Sequence, residues 1–564
     1  MLGVTENPSH SVSSACFFTH KHMHAHSHTY IQTQLHIHGL ARLDRMINKE
    51  SQSSDQLTTA SRRGVRMAKI AIALAAAFML ASIAVIISIA VVQNHKKTYI
   101  SSGLKYGIVL DAGSSRTTVY LYEWPAEKEN NTGVVRETTK CQVEGPGISD
   151  LGKNEDQDKD TWKSLKNCMA KITEAIPSYR HKSTPVFLGA TAGMRLLHMK
   201  DEEKSYAILK DIKNYLSSLP FNFQNASIIS GQEEGLYGWI TVNYLKGNFL
   251  EKNLWNAWVH PHGAETVGSL DLGGASTQIA FATSEDAKGE DIIKVSLYGY
   301  EYNIYTHSFL CYGKNEAEKR VLAKLLKEST NWANVKQPCY PSGYNISMLV
   351  EDVFGSECTK NDLPTNYSPK QNITFYGQSN PEQCKVLVRS IFDLTSCQGA
   401  ENCSFDGVYQ PLLSGDFMAY AGFYWTARAL KVEGSKSMET FDTNMKLFCS
   451  KDWKTLKTSI KDIRDIHLKS YCYSANYVHS ILADGYKFNT DNWKNLNFQK
   501  QVNDTSIAWS LGYMLALSNM IPAEGKILKL PINKVLFTGL LLLFSALTII
   551  TLTYLVIALV RFCY

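Results

Sequence analysis

Two similar segments of the chain place an aspartate and several small residues after a short apolar run. Residues 105–111 (KYGIVLD) end at Asp111, and residues 267–271 (VGSLD) end at Asp271, 160 positions later. The small residues that follow are Gly113, Ser114, Ser115, Gly273, Gly274 and Ala275. Glycine permits positive φ, and successive N–H groups in such a turn bind anions, while an aspartate can hold a cation that bridges to phosphate. One copy is equally typical of a hairpin turn, but two copies favour a pair of loops that clamp a polyphosphate and its metal.

Two further segments carry groups that phosphoanhydride hydrolysis would use. Residues 185–195 (PVFLGATAGMR) predict a strand and a small-residue turn in which Thr191 can orient a water. Residues 227–239 (SIISGQEEGLYGW) put Glu233 and Glu234 where a strand gives way to a helix. A carboxylate near a metal site can deprotonate water, which is a poor nucleophile at neutral pH. Both glutamates could equally be solvated residues that the helix dipole favours, and chemistry alone does not choose between them.

Composition and motif searches exclude several other classes of protein. The 564 residues are 44% hydrophobic and 20% charged, with 35 glycines and 15 prolines, which argues against disordered and collagen-like chains. A net charge of +6 over this length is not a nucleic-acid-binding signature. The sequence has no G-x4-G-K-[ST], H-E-x-x-H or G-x-S-x-G motif, so P-loop, zincin and α/β-hydrolase chemistry is unsupported.

Two long apolar stretches flank the segment that carries these motifs. Residues 70–92 and 535–560 contain no charged residue, and at about 1.5 Å per residue both exceed the ~30 Å of a bilayer core. Buried core helices are the alternative, but these rarely run so long without a polar face. Four basic residues lie at 62–69, against two at 96–97. This bias predicts two transmembrane helices with both termini cytosolic and residues 93–534 outside the plasma membrane.

The cysteines and the glycosylation sequons between the two apolar stretches both indicate that this segment lies in an oxidising compartment. Seven N-x-[ST] sequons lie at Asn130, Asn225, Asn345, Asn366, Asn372, Asn402 and Asn503. Ten cysteines lie at Cys141, Cys168, Cys311, Cys339, Cys358, Cys384, Cys397, Cys403, Cys449 and Cys472. Because no C-x2-C pair occurs, disulfides are favoured over zinc. The simplest closures are Cys397 with Cys403 and Cys449 with Cys472.

The ends of the chain differ from the rest. Residues 1–69 contain eight of the sixteen histidines, including an alternating run at residues 20–28. Such a run is typical of a metal-binding tract, but we expect a largely disordered cytosolic tail. Residues 561–564 are expected to form a short cytosolic stub.

The four motif segments, in this order, resemble the apyrase conserved regions of the ectonucleoside triphosphate diphosphohydrolases. Residues 403–425 and 508–522 extend the resemblance, which covers residues 106–524. Within the family, residues 249–255 (FLEKNLW) and 260–263 (HPHG) look most similar to the type 3 cell-surface branch. The family belongs to the superfamily of actin, heat-shock chaperones and sugar kinases.

The resemblance implies extracellular hydrolysis of nucleoside tri- and diphosphates to monophosphates, which would terminate or modulate purinergic signalling. It implies that Glu234 is the catalytic base and that Ser276 and Gln278 position its water. Water would attack the terminal phosphorus directly, in line, without a phospho-enzyme. A nucleotide-binding module that does not turn over, or a sugar kinase, would share the two loops, but a pure binding module has no need of the base.

The resemblance also implies a set of ligand contacts. Ca²⁺ or Mg²⁺ would be held through waters by Asp111, Asp271, Thr191 and Trp509. Phosphates would contact Gly113, Ser114, Ser115, Gly273, Gly274 and Ala275. The nucleobase would stack near Tyr424, Trp425 and Tyr471, although Trp425 stands where the family pattern leads us to expect tyrosine. The implied partners are extracellular ATP, ADP and other nucleotides, membrane lipid and further copies of the chain through its spans, but no nucleic acid.

These elements together predict an α/β fold of two ribonuclease-H-like lobes flanked by two transmembrane helices. Lobe one is expected at residues 93–269, completed by residues 505–534, and lobe two at residues 270–504. Trp509, Tyr513 and Leu517 recur at a spacing of four and predict one face of a late helix.

Overall fold

The computed structural model describes residues 40–95, 98–100, 103–128, 132–254, 257–284, 289–364, 367–399, 402–521, 523–524 and 527–563. The chain divides into a terminal unit, which contains both apolar stretches, and a central unit, Tyr99–Lys529. Two of the predicted sequons, Asn130 and Asn366, lie outside the described residues, and so does the histidine-rich run.

The terminal unit contains two helices, Leu40–His95 and Lys534–Cys563, which pack against each other. Their segments Arg63–His95 and Lys534–Arg561 are long and apolar enough to cross a membrane, judged by length and composition. The Gln93 side-chain amide donates to the Ile532 carbonyl at 3.3 Å, and its oxygen accepts from the Ile532 N–H at 3.2 Å. This pair of bonds joins the end of the first helix to the residues just before the second.

The first helix is longer than the predicted span. Residues 40–69, which we expected to belong to a largely disordered tail, are helical in the structure. They contain no proline and a single glycine, Gly64. Extension of an existing helix also avoids the unfavourable nucleation step, so a polar segment without strong helix breakers can continue the apolar helix.

The first sheet of the central unit has five strands. In spatial order they are Arg136–Val143, Thr117–Pro125, Leu104–Ala112, Pro185–Ala190 and Asn222–Ile228. The first three form an antiparallel meander, and the last two run parallel to the strand that ends near Asp111. Ile108 and Leu110 face one core while Val109 faces another, so this strand is buried on both sides, as its nearly continuous apolar sequence predicts.

The second sheet repeats this arrangement with one additional strand. In spatial order its strands are Ile292–Leu297, Tyr300–Leu310, Ser276–Ala282, Gly268–Leu272, Phe417–Ala421 and Leu496–Phe498. Adjacent strands among the first four run antiparallel, and the last two strands are parallel to the strand that carries Asp271. Two sheets that each join antiparallel strands to parallel strands confirm the predicted ribonuclease-H-like α/β fold.

Two helices cross between the sheets, Gly231–Leu245 and Trp509–Ser518. The first packs on the second sheet, the second packs on the first sheet, and the two helices contact each other. Gly512 permits this contact, because a Cβ on it would lie 2.0 Å from the Tyr237 carbonyl oxygen. The chain therefore returns to the first sheet near its end, while the division into lobes at residue 269 stays a prediction.

Further helices and small strand groups lie outside these two sheets. The helices are Glu155–Ala175, Ala192–Lys200, Glu202–Ser217, Lys314–Lys327, Val350–Phe354, Pro381–Arg389, Gly422–Ala429, Met438–Cys449, Trp453–Ser459, Asp465–Leu468 and Tyr471–Ser480. The smaller strand groups pair Val335–Gln337 and Asn345–Leu349 with Asn372–Gly377, Thr98–Ile100 with Ile527–Lys529, Glu251–Lys252 with Trp258–Val259, and Gln501–Val502 with Thr505–Ser506.

Candidate active site

The two aspartate loops are hairpin turns at corresponding positions of the two sheets. Asp111 lies opposite Thr118 in its hairpin, and Asp271 lies opposite Gln278. The loops face each other closely, because a Cβ built on Gly274 would lie only 2.6 Å from the Ser114 hydroxyl oxygen. A side chain at residue 274 would require the Ser114 hydroxyl to shift, so glycine favours this close approach of the loops.

A cavity of about 510 Å³ opens between the loops. Of the predicted site residues, it is lined by Asp111, Gly113, Ser114, Ser115, Thr191, Glu234, Asp271, Gly273, Gly274, Ala275, Ser276, Trp425, Tyr471 and Trp509. Segments that are far apart in the chain thus converge on one space. Gln278 is not part of this lining but is hydrogen-bonded to Glu234 and Ser276, which are. Tyr424 is also outside the lining, and its ring lies 5.2 Å from that of Trp425 between centroids.

The two adjacent glutamates have different environments. Ser230 caps the helix Gly231–Leu245, and its hydroxyl accepts from the Glu233 N–H at 3.1 Å, while the Glu233 carboxylate accepts from the Ser230 N–H at 2.8 Å. Glu233 is therefore occupied in a capping box. Glu234 is buried and lines the cavity. Of the two, only Glu234 is available to a molecule between the loops.

The Glu234 carboxylate is held by two side chains. Its Oε2 accepts from Arg195 Nη2 and, at 3.0 Å, from Gln278 Nε2. Burial raises the pKa of Glu234 to about 7, against the opposing effect of the Arg195 guanidinium and with a smaller contribution from the negative charge of Asp111. A carboxyl group with this pKa can accept a proton at neutral pH more readily than an ordinary glutamate.

A small hydrogen-bond network fixes these groups. Gln278 Nε2 also lies 2.6 Å from Ser276 Oγ and 2.9 Å from Ser308 Oγ. Arg195 Nη1 donates to Ser308 at 3.5 Å and Nη2 to Ser276 at 3.4 Å. Sequence reasoning assigned no role to Arg195 or Ser308. Arg195 ends the quoted 185–195 segment, but its partner comes from another segment, and nothing in the local sequence marks Ser308.

The two aspartates are half-buried and line the same cavity as Glu234. Trp509 Nε1 donates to Asp111 Oδ1 at 2.8 Å, which lowers the pKa of Asp111, but burial outweighs this bond and raises it to about 6. Burial raises the pKa of Asp271 well above its usual value, with further contributions from the charges of Glu234 and Asp111. Within the part of the chain that the structure describes, no group of three or more His, Cys, Asp or Glu side chains is close enough to chelate a metal directly.

Aromatic and basic side chains form the other end of the cavity. Trp425 is partly exposed there, and Tyr471 lines the opposite part of the wall. Lys314 Nζ lies 5.2 Å from the Tyr471 ring centroid. Burial is the main cause that lowers the pKa of Lys314. Arg464, His467 and the acidic Asp462 also line the cavity, so this part of the lining combines flat aromatic rings with charged side chains of both signs.

The ten cysteines between residues 141 and 472 form five disulfides. The two closures predicted from sequence, Cys397–Cys403 and Cys449–Cys472, are confirmed. The other three are Cys141–Cys168, Cys311–Cys358 and Cys339–Cys384. The five sequon asparagines within the described residues are all exposed, at Asn225, Asn345, Asn372, Asn402 and Asn503.

The segment that builds this cavity also matches a known family. Residues 98–530 match the GDA1/CD39 (nucleoside phosphatase) family. The chain belongs to this family. Its match to the family covers both aspartate loops, the glutamate segment and the late helix that begins at Trp509.

Named members of the family align over most of the chain. Human ectonucleoside triphosphate diphosphohydrolase 3 is 53% identical over 85% of this chain and 90% of its own length. The mouse protein of the same name is 49% identical over the same shares, and mouse ectonucleoside triphosphate diphosphohydrolase 8 is 42% identical over 74% and 84%. This similarity confirms the resemblance to the type 3 branch.

A solved structure shares the fold. The crystal structure of nucleoside triphosphate hydrolases from Neospora caninum covers 74% of this chain and 93% of that chain, with a TM-score of 0.51 at 15% sequence identity. At this identity the likeness supports the fold alone.

Proposed function

We propose that this protein hydrolyses nucleoside tri- and diphosphates to monophosphates by direct attack of water on the terminal phosphorus. The observation that carries the proposal is the buried Glu234 carboxylate, which faces a cavity between two anion-binding loops and whose pKa is raised to about 7. The names of the family's aligned members, which are nucleoside triphosphate diphosphohydrolases, agree with this reaction.

In the proposed mechanism, Glu234 accepts the proton of the attacking water. Its Oε2 is anchored by Arg195 and Gln278, so the carboxylate keeps its orientation without rearrangement during the reaction. The Ser276 hydroxyl, 2.6 Å from Gln278 Nε2, is near enough to help hold the water. Backbone N–H groups of the two loops would stabilise the negative charge that develops on the phosphate oxygens.

The residues around the cavity fit a divalent cation. Asp111, Asp271 and Glu234 line one cavity. The charge of Asp111 helps to raise the pKa of Glu234, and the charges of Glu234 and Asp111 help to raise that of Asp271, so a cation would relieve this repulsion. Ca²⁺ and Mg²⁺ prefer oxygen ligands, and Mg²⁺ commonly uses one or two carboxylates, several waters and the substrate's phosphates. Asp111 and Asp271 would hold such an ion through waters, with Thr191 and Trp509 supporting the shell. When bound, the ion would neutralise charge on the phosphates.

The nucleobase would stack at the far end of the cavity, against Trp425 and Tyr471. Stacking on flat rings accepts different bases, because every base has a π face. Tyr424 was included in the expected base site, but it does not line the cavity and packs edge-on against Trp425, so we assign it a supporting role.

We propose that the central unit is outside the plasma membrane and is anchored by both terminal helices. The five disulfides and the exposed sequons fit an oxidising, glycosylating compartment, and the two apolar helices fit a bilayer. In this position the enzyme would remove extracellular ATP and ADP and so terminate or modulate purinergic signalling. Association of copies through the spans is part of the same proposal.

The test uses intact cells that express the full chain. External ATP is supplied with calcium, and ATP, ADP and AMP are followed together, with EDTA and Glu234→Ala cells as comparisons. We expect EDTA-sensitive formation of AMP that is lost in the variant. A nucleotide-binding module would give no turnover, and a sugar kinase would require an added acceptor; either result would overturn the proposal.

A further inference from the structure

A second cavity lies on the other side of the ion pair between Arg195 and Glu234. It has a volume of about 520 Å³ and lies between the helices Ala192–Lys200 and Glu202–Ser217 and the edge strand Asn222–Ile228. This volume is typical of sites for small organic ligands. Glu234 lines the first cavity and Arg195 lines the second, so the ion pair between them separates the two spaces.

The lining of the second cavity combines apolar side chains with positive charge. Its apolar members are Met199, Tyr206, Leu209, Ala226, Ile228 and Leu310. Its basic members are Arg195, His198 and Lys213, and no acidic residue contributes to the lining. The His198 ring packs edge-on against Tyr206, with 5.4 Å between centroids.

Two buried nitrogens of the lining residues are without a hydrogen-bond partner. Among the described residues, neither Arg195 Nε, which is a donor, nor His198 Nδ1, which donates in one of the two ring tautomers, is paired. Buried polar groups are normally satisfied, so an orphaned donor marks a place for a water or a ligand. The Arg195 guanidinium uses its Nη groups for Glu234, Ser276 and Ser308, whereas its buried Nε has no partner among the described residues.

We propose that this cavity binds a small organic anion with an apolar body, such as an aromatic sulfonate or carboxylate, and that the bound anion slows hydrolysis. Its acidic group accepts from Arg195 Nε and His198, and its body packs against Met199, Tyr206 and Leu209. The guanidinium is then shared between two anions and holds Glu234 less firmly. This effect on the rate rests on the proposed function, whereas binding itself does not.

The test uses naphthalene-2-sulfonate as the probe and the purified full chain in lipid nanodiscs. Binding is measured by saturation-transfer NMR for wild type, Met199→Glu and Met199→Gln. Met199 is 61% exposed, so neither substitution disturbs the core. We expect saturable binding to wild type and Met199→Gln, about tenfold weaker binding to Met199→Glu because like charges repel, and no displacement by AMP.

Equal affinity for the two Met199 variants, or displacement of the probe by AMP, would overturn the site. For wild type we expect the probe to lower kcat for ATP with KM unchanged. If the probe binds as described but kcat does not fall, the coupling through Arg195 is wrong. If the chain hydrolyses no nucleotide at all, the proposed function fails while the NMR result still decides the binding site.

Discussion

Replacement of each neighbouring glutamate by glutamine separates the base from the capping residue. Glu234→Gln keeps the size of the side chain and its amide oxygen can still accept from Arg195, but the group can no longer take a proton from water. Glu233→Gln keeps a side chain that can also complete a capping box at this position. The two variants therefore differ in chemistry at adjacent positions of one helix.

The two substitutions are expected to change the rate of hydrolysis by amounts that differ by orders of magnitude. Loss of a general base lowers the rate by about 10² to 10⁴. Loss of the Glu233 charge removes a favourable interaction with the helix dipole, which is about 0.3–1 kcal/mol of stability, and leaves the cavity lining intact. We expect Glu233→Gln to keep hydrolysis of the same order as wild type, with a slightly lower unfolding temperature.

The assay measures phosphate released from external ATP with calcium, normalised to the amount of protein on the cell surface, between pH 5.5 and 8.5. Because Glu234 acts in its ionised form and its pKa is raised to about 7, kcat/KM of wild type should fall as the pH is lowered through this value. Glu233→Gln should show the same decline, whereas the residual rate of Glu234→Gln should lack it. Equal loss in both variants, or a larger loss in Glu233→Gln, would refute the assignment.

Three further predictions concern the carboxylates and the disulfides. Trp509→Phe removes a 2.8 Å hydrogen bond to Asp111, and such a bond to a charged acceptor typically contributes about 1.5–3 kcal/mol. The pKa of Asp111 should therefore rise, and activation by calcium should weaken more at pH 6.5 than at pH 8. An equal loss of activation at both pH values would contradict this prediction. Asp271→Asn removes a half-buried carboxylate whose ionised form is disfavoured, so in EDTA at pH 7.5 Tm should rise although activity is lost; an unchanged Tm would argue against this electrostatic cost at position 271. Cys141→Ser with Cys168→Ser opens a disulfide that spans 27 positions and should lower stability by about 3 kcal/mol, measured as a lower Tm under non-reducing conditions; wild-type Tm would contradict it.

Local patterns predict much of this fold because the relevant interactions are short in sequence. The strands before the two aspartates, their hairpin turns and the strand-to-helix passage at Glu233 all follow from apolar runs and small residues. The disulfide Cys397–Cys403 closes a loop of a few residues, so its partners are neighbours in any fold. Cys311–Cys358, in contrast, depends on how several elements pack, and its pairing could not be derived from spacing.

The residues that surround Glu234 show that the same limit applies to prediction of the candidate site. Arg195 follows a strand of the first sheet, Gln278 and Ser308 belong to the second, and they meet only because the loops of both sheets face one cavity. These three residues are far apart in the chain, so no local sequence pattern could predict that they meet.

The choice between the two glutamates, however, was available from local physical chemistry. Residues 230–233 read S-G-Q-E, the S-x-x-E pattern in which the third helical residue turns back to the N-cap. Successive side chains on a helix are separated by about 100°, so when Glu233 is directed to Ser230 its neighbour must point elsewhere. Here that direction is the cavity between the loops. The capping box therefore begins the helix and also fixes the direction in which the Glu234 side chain points into the site. A Ser230→Ala variant should make the orientation of the Glu234 carboxylate less well defined, in addition to destabilising the end of the helix.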